Sequence, residues 1–453
     1  MENLDVTIVT TAAPKIGHSL HVAPASTGLL ITAYLLTLAV LIPLSGWLTA
    51  RFGARPVFLC AIAIFTLSSV GCAASTSLGE LVAMRVLQGV GGAMMVPVGR
   101  FTVIAGAAKS DLIRIISYVS WPGLVAPVIA PLAGGLITTY ASWRWLFLIN
   151  APLGALAFIV AWRLIESLEA DGEPPPLDRV GVVLTGAGLA GLTWAAHLVS
   201  EPRTSWAQFA LLTGASTLAL AASIRHLRRT PAPLINLRTL RIPTFRAASL
   251  GSGIFWIAIG ATPFLLPLLF QTVFNWGAVK SGAVVLFLFV GNIAIKPATT
   301  PLLNRFGFRR VLIVATAGLV LTMLVFAFVT AGTPVVVIAA VALASGVCRS
   351  TSLTCYITLA FSDVGSELMR DANTFYATTQ QLASGTGVAI AAVALRIGSV
   401  LSGHAAATTP FTIAFLALAV IALVPALGAV RLHPSAGDAL RRRRGPGEPA
   451  AAS

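Results

Sequence analysis

The sequence predicts an all-α, polytopic membrane protein, and three observations carry that expectation. Of its 453 residues, 57% are hydrophobic and only 10% are charged, whereas a soluble domain carries about 25% charged residues. Mean hydropathy is +0.89, too apolar to cover a water-facing surface. Apolar stretches of about 20 residues, the length that crosses a bilayer core as a helix, recur along the whole chain.

The apolar runs place spans at 28–48, 57–74, 80–105, 113–139, 145–163, 179–199, 206–224, 247–270, 281–302, 311–331, 334–360, 374–400 and 411–430. A fourteenth, partial segment opens the chain, where LDVTIVTTAAP is apolar but too short to cross alone. The acids mark the breaks. Glu80 stands at a span edge, and Asp111, Glu166, Asp178, Glu201, Asp363, Glu367 and Asp371 fall in or beside turns. The segment 166–179 is acidic and contains three consecutive prolines, and 225–246 is basic with prolines. The two spans between them read as an insert between two larger bundles. The expected units are therefore 1–165, 166–246, 247–431 and a disordered basic tail at 432–453.

Charge sets the orientation. The formal net charge is +15, and the cations sit in short loops. With the turn at 46–56 placed in the cytoplasm, roughly 21 Lys and Arg lie inside and about 4 outside. Both termini are then cytoplasmic, in a plasma (inner) membrane. The lipid bilayer accounts for the basic balance, so no nucleic acid partner is expected. Cys60, Cys72, Cys348 and Cys355 lie in apolar runs without metal-ligand spacing, and the histidines are scattered. No metal, no cofactor and no enzyme site is expected, since P-loop, HExxH, CxxC and GxSxG motifs are absent.

The turn GWLTARFGARP combines Gly46, where a helix end can approach a neighbour, with Gly53, which can supply the positive φ of a tight turn. Arg51 and Arg55 fix the inside face and can hydrogen-bond carbonyls exposed at helix C-termini. RFGARPVFL (51–59) has an echo in RFGFRRVLI (305–313), as expected of a transporter built from repeats.

This turn resembles the loop signature G-x-L-A-D-R-x-G-R-[KR] of the major facilitator superfamily, with Ala50 in place of the acid and Pro56 in place of the last base. LDVTIVTTAAPKIG (4–17) is similar to the first-helix signature of drug:proton antiporters. RVLQGVGGA (85–93) matches their fourth-helix signature, APVIAPLAGG (126–135) resembles their G-P-x-x-G-P-x-x-G-G motif, and WRWLFLINAPLG (143–154) also recurs there. The chain is identified as a member of the fourteen-helix antiporters of the EmrB/QacA type. The resemblance implies two six-helix bundles and two inserted helices. It also places Met1 inside the first span, so a truncated first helix is expected. The missing acid implies a weaker inside latch and a shifted balance between outward-open and inward-open states.

By elimination, Asp5 is the candidate proton and cation site, because nearly all the other acids fall in loops and Glu2 is the one other acid that could lie within the membrane. A helix-start acid stabilised by the dipole is the other reading. Arg85 should face the bundle interior and a partner, and the resemblance implies a part in proton coupling; snorkelling to the interface is the alternative. Gln88 lies one turn along the same face. Pro127 and Pro131, with Ala126, Ala130, Gly134 and Gly135, suit a bent helix between two moving halves, or ordinary small-residue packing. Lys296 and Arg100 are the further intramembrane cations noted; Lys296 either snorkels, binds an anionic group or competes with the coupling proton. Tyr34, Trp121, Trp256, Asn292, Gln380 and Gln381, with Gln88 and Lys296, are candidates to line a central cavity, or packing residues.

The resulting expectation is a monomeric secondary transporter whose partners are protons and a small-molecule substrate, exporting hydrophobic or cationic molecules by alternating access. A uniporter or importer on the same scaffold stays open, as does a non-transporting sensor or decayed paralogue.

Overall fold

The computed structural model describes residues 5, 9, 15–22, 27–105, 114–116, 137, 140–165, 176–200, 205–402, 408–432 and 437. No strand occurs among the described residues. The helices are α1 (Gly28–Leu41), α2 (Ser45–Phe52), α3 (Ala54–Ala74), α4 (Leu78–Ala105), α5 (Trp145–Leu148), α6 (Asn150–Leu164), α7 (Arg179–Ser200) and α8 (Trp206–Leu227), followed by α9 (Pro243–Gly260), α10 (Thr262–Thr272), α11 (Ala278–Ala294), α12 (Lys296–Phe306), α13 (Phe308–Ala327), α14 (Val335–Ser362), α15 (Ser366–Ser402) and α16 (Thr409–Arg431). Ten helical stretches among the described residues are long and apolar enough to cross a membrane, and a bent pair makes an eleventh. The expected span 113–139 lies outside the described residues except at 114–116 and 137, and with it Trp121, Pro127, Pro131, Gly134 and Gly135.

Local chemistry explains where helices start and break. Ser77 Oγ accepts from the Glu80 amide at 3.3 Å, and the Glu80 carboxylate accepts from the Thr76 amide at 2.8 Å, satisfying donors at the start of α4. Four expected spans are interrupted, that at 145–163 by a one-residue break at Ile149 between α5 and α6. A 3-10 turn at Ile42–Leu44, with Pro43 inside it, joins α1 to α2. The run expected at 247–270 breaks at Ala261, and that at 281–302 bends by 50° at Ile295. Pro263 and Pro297 stand just after these last two breaks. Proline has no amide to donate and crowds the preceding turn, so the ladder cannot run through.

The buried apolar side chains fall into separate clusters. The largest is built almost entirely from residues between Phe245 and Ala429. Two others draw on residues from Val9 to Phe147, with Ala377 joining one of them. α7 and α8 pack on each other, and α7 lies against both α1 and α15. The outward faces stay apolar: Leu211 is 76% exposed, Val314 72% and Val336 79%. A surface of this kind fits lipid and not water.

The two basic turns share one geometry. Gly53 has φ 83° and ψ 156°, and Gly307 has φ 78° and ψ 159°, a region open essentially to glycine alone. Arg55, two residues on, donates from Nη2 to the Trp162 carbonyl in the last turn of α6 at 2.6 Å. Arg309, at the matching place, donates from Nη2 to the Val430 carbonyl in the last turn of α16 at 2.8 Å. Arg51 stacks near the rings of Trp47 and Phe52, 5.9 Å and 5.8 Å from their centroids. Gly46 faces Thr374 of α15 so closely that any Cβ would collide with its side chain.

Between the bundles, Asp178 closes the start of α7. It accepts from the Gly181 amide at 2.8 Å and the Leu234 amide at 3.1 Å, and meets His226 Nε2 at 2.7 Å. Burial alone would raise its carboxyl, but these hydrogen bonds outweigh it and hold the group below the ordinary carboxylate range.

Candidate functional site

α3, α4 and α6 bring a polar cage to the middle of an otherwise apolar cluster, and Asp5 sits in it. Asp5, Ser69, Arg85, Gln88 and Asn150 are all fully buried. Arg85 donates from Nη1 to Asp5 Oδ2, forming an ion pair. Asp5 Oδ1 accepts from Gln88 Nε2 at 3.0 Å and from Asn150 Nδ2 at 3.3 Å. Arg85 also donates to Gln88 Oε1 at 2.7 Å and from Nε to the Leu30 carbonyl at 3.1 Å. Ser69 accepts from Asn150 at 3.0 Å and from Gln88 at 3.3 Å, and donates to the Phe147 carbonyl at 2.9 Å.

Helical spacing builds this cage. Arg85 and Gln88 are one turn apart on α4, so both side chains leave the same face. The Tyr34 ring lies under the guanidinium, 4.4 Å from centroid to Cζ, where a cation gains from the ring quadrupole. Tyr34, a candidate for the cavity lining, is thus buried against the ion pair. Asp5, Arg85 and Gln88 are brought together. Ser69 and Asn150 were not singled out from sequence; Asn150 is in the quoted run WRWLFLINAPLG, as the polar residue of an apolar stretch, and that was the available signal. Arg85 Nη2 and Asn150 Oδ1 are buried with no partner among the described residues.

Chemically, the cage holds one carboxylate and one guanidinium out of contact with water. The pair is neutral when Asp5 is ionised. Beside Asp5, Arg85 also holds two neutral acceptors, Gln88 Oε1 and the Leu30 carbonyl, so three groups share the guanidinium.

The remaining candidates lie in the second group of helices. Lys296 is the first residue of α12, is 5% exposed, and donates from Nζ to Thr354 Oγ1 at 2.8 Å. It does not reach an interface. Asn292 is buried, one turn before it, and its Oδ1 has no partner among the described residues. Trp256 and Gln381 are half-buried. Gln380 accepts from Arg100 Nη2 at 3.4 Å, which ties α15 to α4. Beside that contact Asn373 Nδ2 donates to the Pro97 carbonyl at 2.8 Å, and the Arg370 guanidinium lies 5.7 Å from the Phe101 ring. With the Gly46–Thr374 approach, these contacts join α2 and α4 to α15 at the end of the bundle that carries the basic turns. Arg349, in the middle of α14, is an intramembrane cation that the sequence reading passed over; its place inside the run 334–360 was the signal. Among the described residues, no group of three or more His, Cys, Asp or Glu side chains is arranged to hold a metal ion.

Known proteins agree with this architecture. A family profile described as Major Facilitator Superfamily matches residues 1–388. The multidrug resistance protein MdtD of Citrobacter koseri is 34% identical over 450 residues, covering 98% of this chain and 95% of that protein. MdtD of Enterobacter sp. strain 638 is 35% identical over 432 residues, covering 94% and 91%. Among solved structures, the proton:xylose symporter XylE bound to 6-bromo-6-deoxy-D-glucose superposes with a TM-score of 0.65 at 13% identity, over 96% of this chain and 94% of that one. The human organic anion transporter MFSD10 gives 0.67 at 14% identity, over 94% and 96%; at such identities the likeness is one of fold. The chain is a membrane protein of many spans with the helical architecture of a small-molecule carrier, and it belongs to the major facilitator superfamily.

Proposed function

We propose that this multidrug-type transporter is a proton-coupled exporter that moves hydrophobic small molecules across a bacterial inner membrane by alternating access. The observation that carries the reading is the Asp5–Arg85 pair, fully buried and wrapped by Gln88, Asn150 and Ser69. An ionisable pair inside a membrane bundle is costly to keep, and its usual use is to carry a proton or an ion. No nucleotide-binding motif accompanies it, so the driving force is an ion gradient.

The cycle follows from charge. In one state Arg85 neutralises Asp5. When Asp5 takes a proton, Arg85 loses its counter-charge and keeps only its bonds to Gln88 and the Leu30 carbonyl, α4 shifts, and the contacts of α4 and α2 with α15 loosen. The matched turns at Gly53 and Gly307, each tied by an arginine to the last helix of its group, support two repeats that rock as units. With those turns placed in the cytoplasm, the geometry described is closed toward the cytoplasm. The experiment is proton movement in proteoliposomes on addition of a broad panel of hydrophobic compounds. Substrate-dependent alkalinisation of the proton-loaded lumen is expected; none with any compound, from protein that is folded and inserted, overturns the reading.

A further inference from the structure

The two inserted helices carry their cations together at one end. Thr185 of α7 and Ser223 of α8 put their hydroxyls 2.6 Å apart, and Asp178 meets His226 Nε2 at 2.7 Å. Arg179 adjoins Asp178 and Arg225 adjoins His226, so the start of α7 and the end of α8 bring both arginines to the same end of the hairpin. Arg228 and Arg229 follow in the next residues, and all four are exposed. Leu227 and Leu234 are buried here in a cluster that Leu44 joins, so this is the end of the bundle that carries the basic turns. The hairpin and its linker offer these arginines no exposed acid among the described residues. Asp178 is 9% exposed and is occupied by His226 and by the Gly181 and Leu234 amides. Between Arg179 and Asp363 the sequence has one acid, Glu201, and it falls between the opposite ends of α7 and α8. The exposed acids described at this end, Asp363 and Glu367, belong to the turn between α14 and α15 in the second group.

Lipid-facing apolar surface runs directly into these arginines. Leu211, Leu218 and Arg225 recur about two turns apart along one face of α8, and Leu218 is 72% exposed. On α7, Val183 is 67% exposed one turn after Arg179. Such a border, apolar on one side and cationic on the other, is where a phospholipid places its phosphate above its acyl chains. A guanidinium fork matches two phosphate oxygens at once. A zwitterionic headgroup brings its own cation to the arginines and an anionic one does not, so charge complementarity selects the anionic class.

We propose that Arg179, Arg225, Arg228 and Arg229 form a binding surface for anionic phospholipid, with the phosphate held by the guanidinium groups and an acyl chain lying along Leu218 and Leu211 of α8. The surface serves the lipid and not the cargo, so it stands apart from the exporter reading.

The test titrates the full chain in detergent micelles with phosphatidylglycerol or with phosphatidylcholine of the same acyl chains, and reads the first lipid retained by native mass spectrometry. The parent is expected to hold phosphatidylglycerol about tenfold or more tighter than phosphatidylcholine. Arg225→Gln, Arg228→Gln and Arg229→Gln together should remove most of that preference, while the same change at Arg441, Arg442, Arg443 and Arg444 should leave it within about twofold. The three hairpin side chains are exposed, so melting of that variant in lipid-free detergent should match the parent's. Equal retention of the two lipids by the parent overturns the proposal and needs no variant to fold; the arginines would then belong to solvent or to the acidic segment 166–175. A hairpin variant that folds and keeps the full preference overturns it as well, as does an equal loss in the tail variant. A dimer that forms without phosphatidylglycerol and is broken by the hairpin variant gives the face to a second copy of the chain and also overturns it.

Discussion

Arg55 and Arg309 make the same contact from matching turns: each donates to a carbonyl in the last turn of a helix more than a hundred residues away in sequence. The glycine two residues before each arginine sets the turn that aims it. Gly53→Ala and Gly307→Ala are each expected to cost about 1–3 kcal/mol, because ψ near 160° at positive φ is closed to a Cβ. Gly214→Ala is the control, since α8 leaves open space around that position; it should gain about 0.5–1 kcal/mol from helix propensity. Thermal unfolding of the three variants in detergent checks both signs.

Asp178 should make stability depend on acid. Its folded-state carboxyl is held below the ordinary range, so it stabilises the fold above the unfolded value of about 4. That contribution is lost as pH falls through the lower, folded value. The melting temperature of the parent should exceed that of Asp178→Asn by a constant margin from about pH 5 to pH 8, and the margin should shrink only in stronger acid. A margin that grows as pH falls contradicts this reading.

Asn373 holds the end of the bundle that carries the basic turns, through the Pro97 carbonyl. Asn373→Ala removes a hydrogen bond of about 0.5–1.5 kcal/mol, which moves a two-state balance by roughly two- to tenfold. Ala377→Cys in a cysteine-free background places a reporter in the same buried contact. Its maleimide labelling from the side of the basic turns should rise by that factor when Asn373→Ala is added. No change means that the hydrogen bond does not help to hold that end closed.

Asn150 tests the part of the cage that sequence did not reveal. Asn150→Ala removes donors to Asp5 and Ser69, leaving buried acceptors short of a partner at about 1–3 kcal/mol. Proton-driven transport should fall roughly tenfold or more, while Asn150→Gln or Asn150→Ser recovers part of it. Equal pumping by Asn150→Ala would remove Asn150 from the coupling machinery.

Much of the helical architecture was legible because its cause is local. Apolar runs of about 20 residues have one stable form in a bilayer, and the basic turns announce their glycines and arginines. Asp5 and Arg85 were each legible as intramembrane charges because so few charges lie in the spans, but that they pair with each other was not. The breaks at Ala261 and Ile295 were harder to see. Proline inside a membrane helix is tolerated when a neighbour satisfies the freed carbonyl, and the neighbour for Ile259, Arg349, is ninety residues away. Tyr34 looked like a cavity residue because its position along α1 is readable while the face it turns is not. Only the packing of α4 on α1 put its ring beneath Arg85.

The measurement that bears most directly on the central claim is accumulation of cargo against its own gradient in proteoliposomes, driven by an imposed pH difference, for the parent chain and Asp5→Asn. The asparagine keeps size and hydrogen bonding but binds no proton. The account expects the parent to concentrate cargo and Asp5→Asn to let it only equilibrate, with carrier-mediated exchange at zero gradient retained. Concentration by Asp5→Asn as steep as by the parent would contradict it.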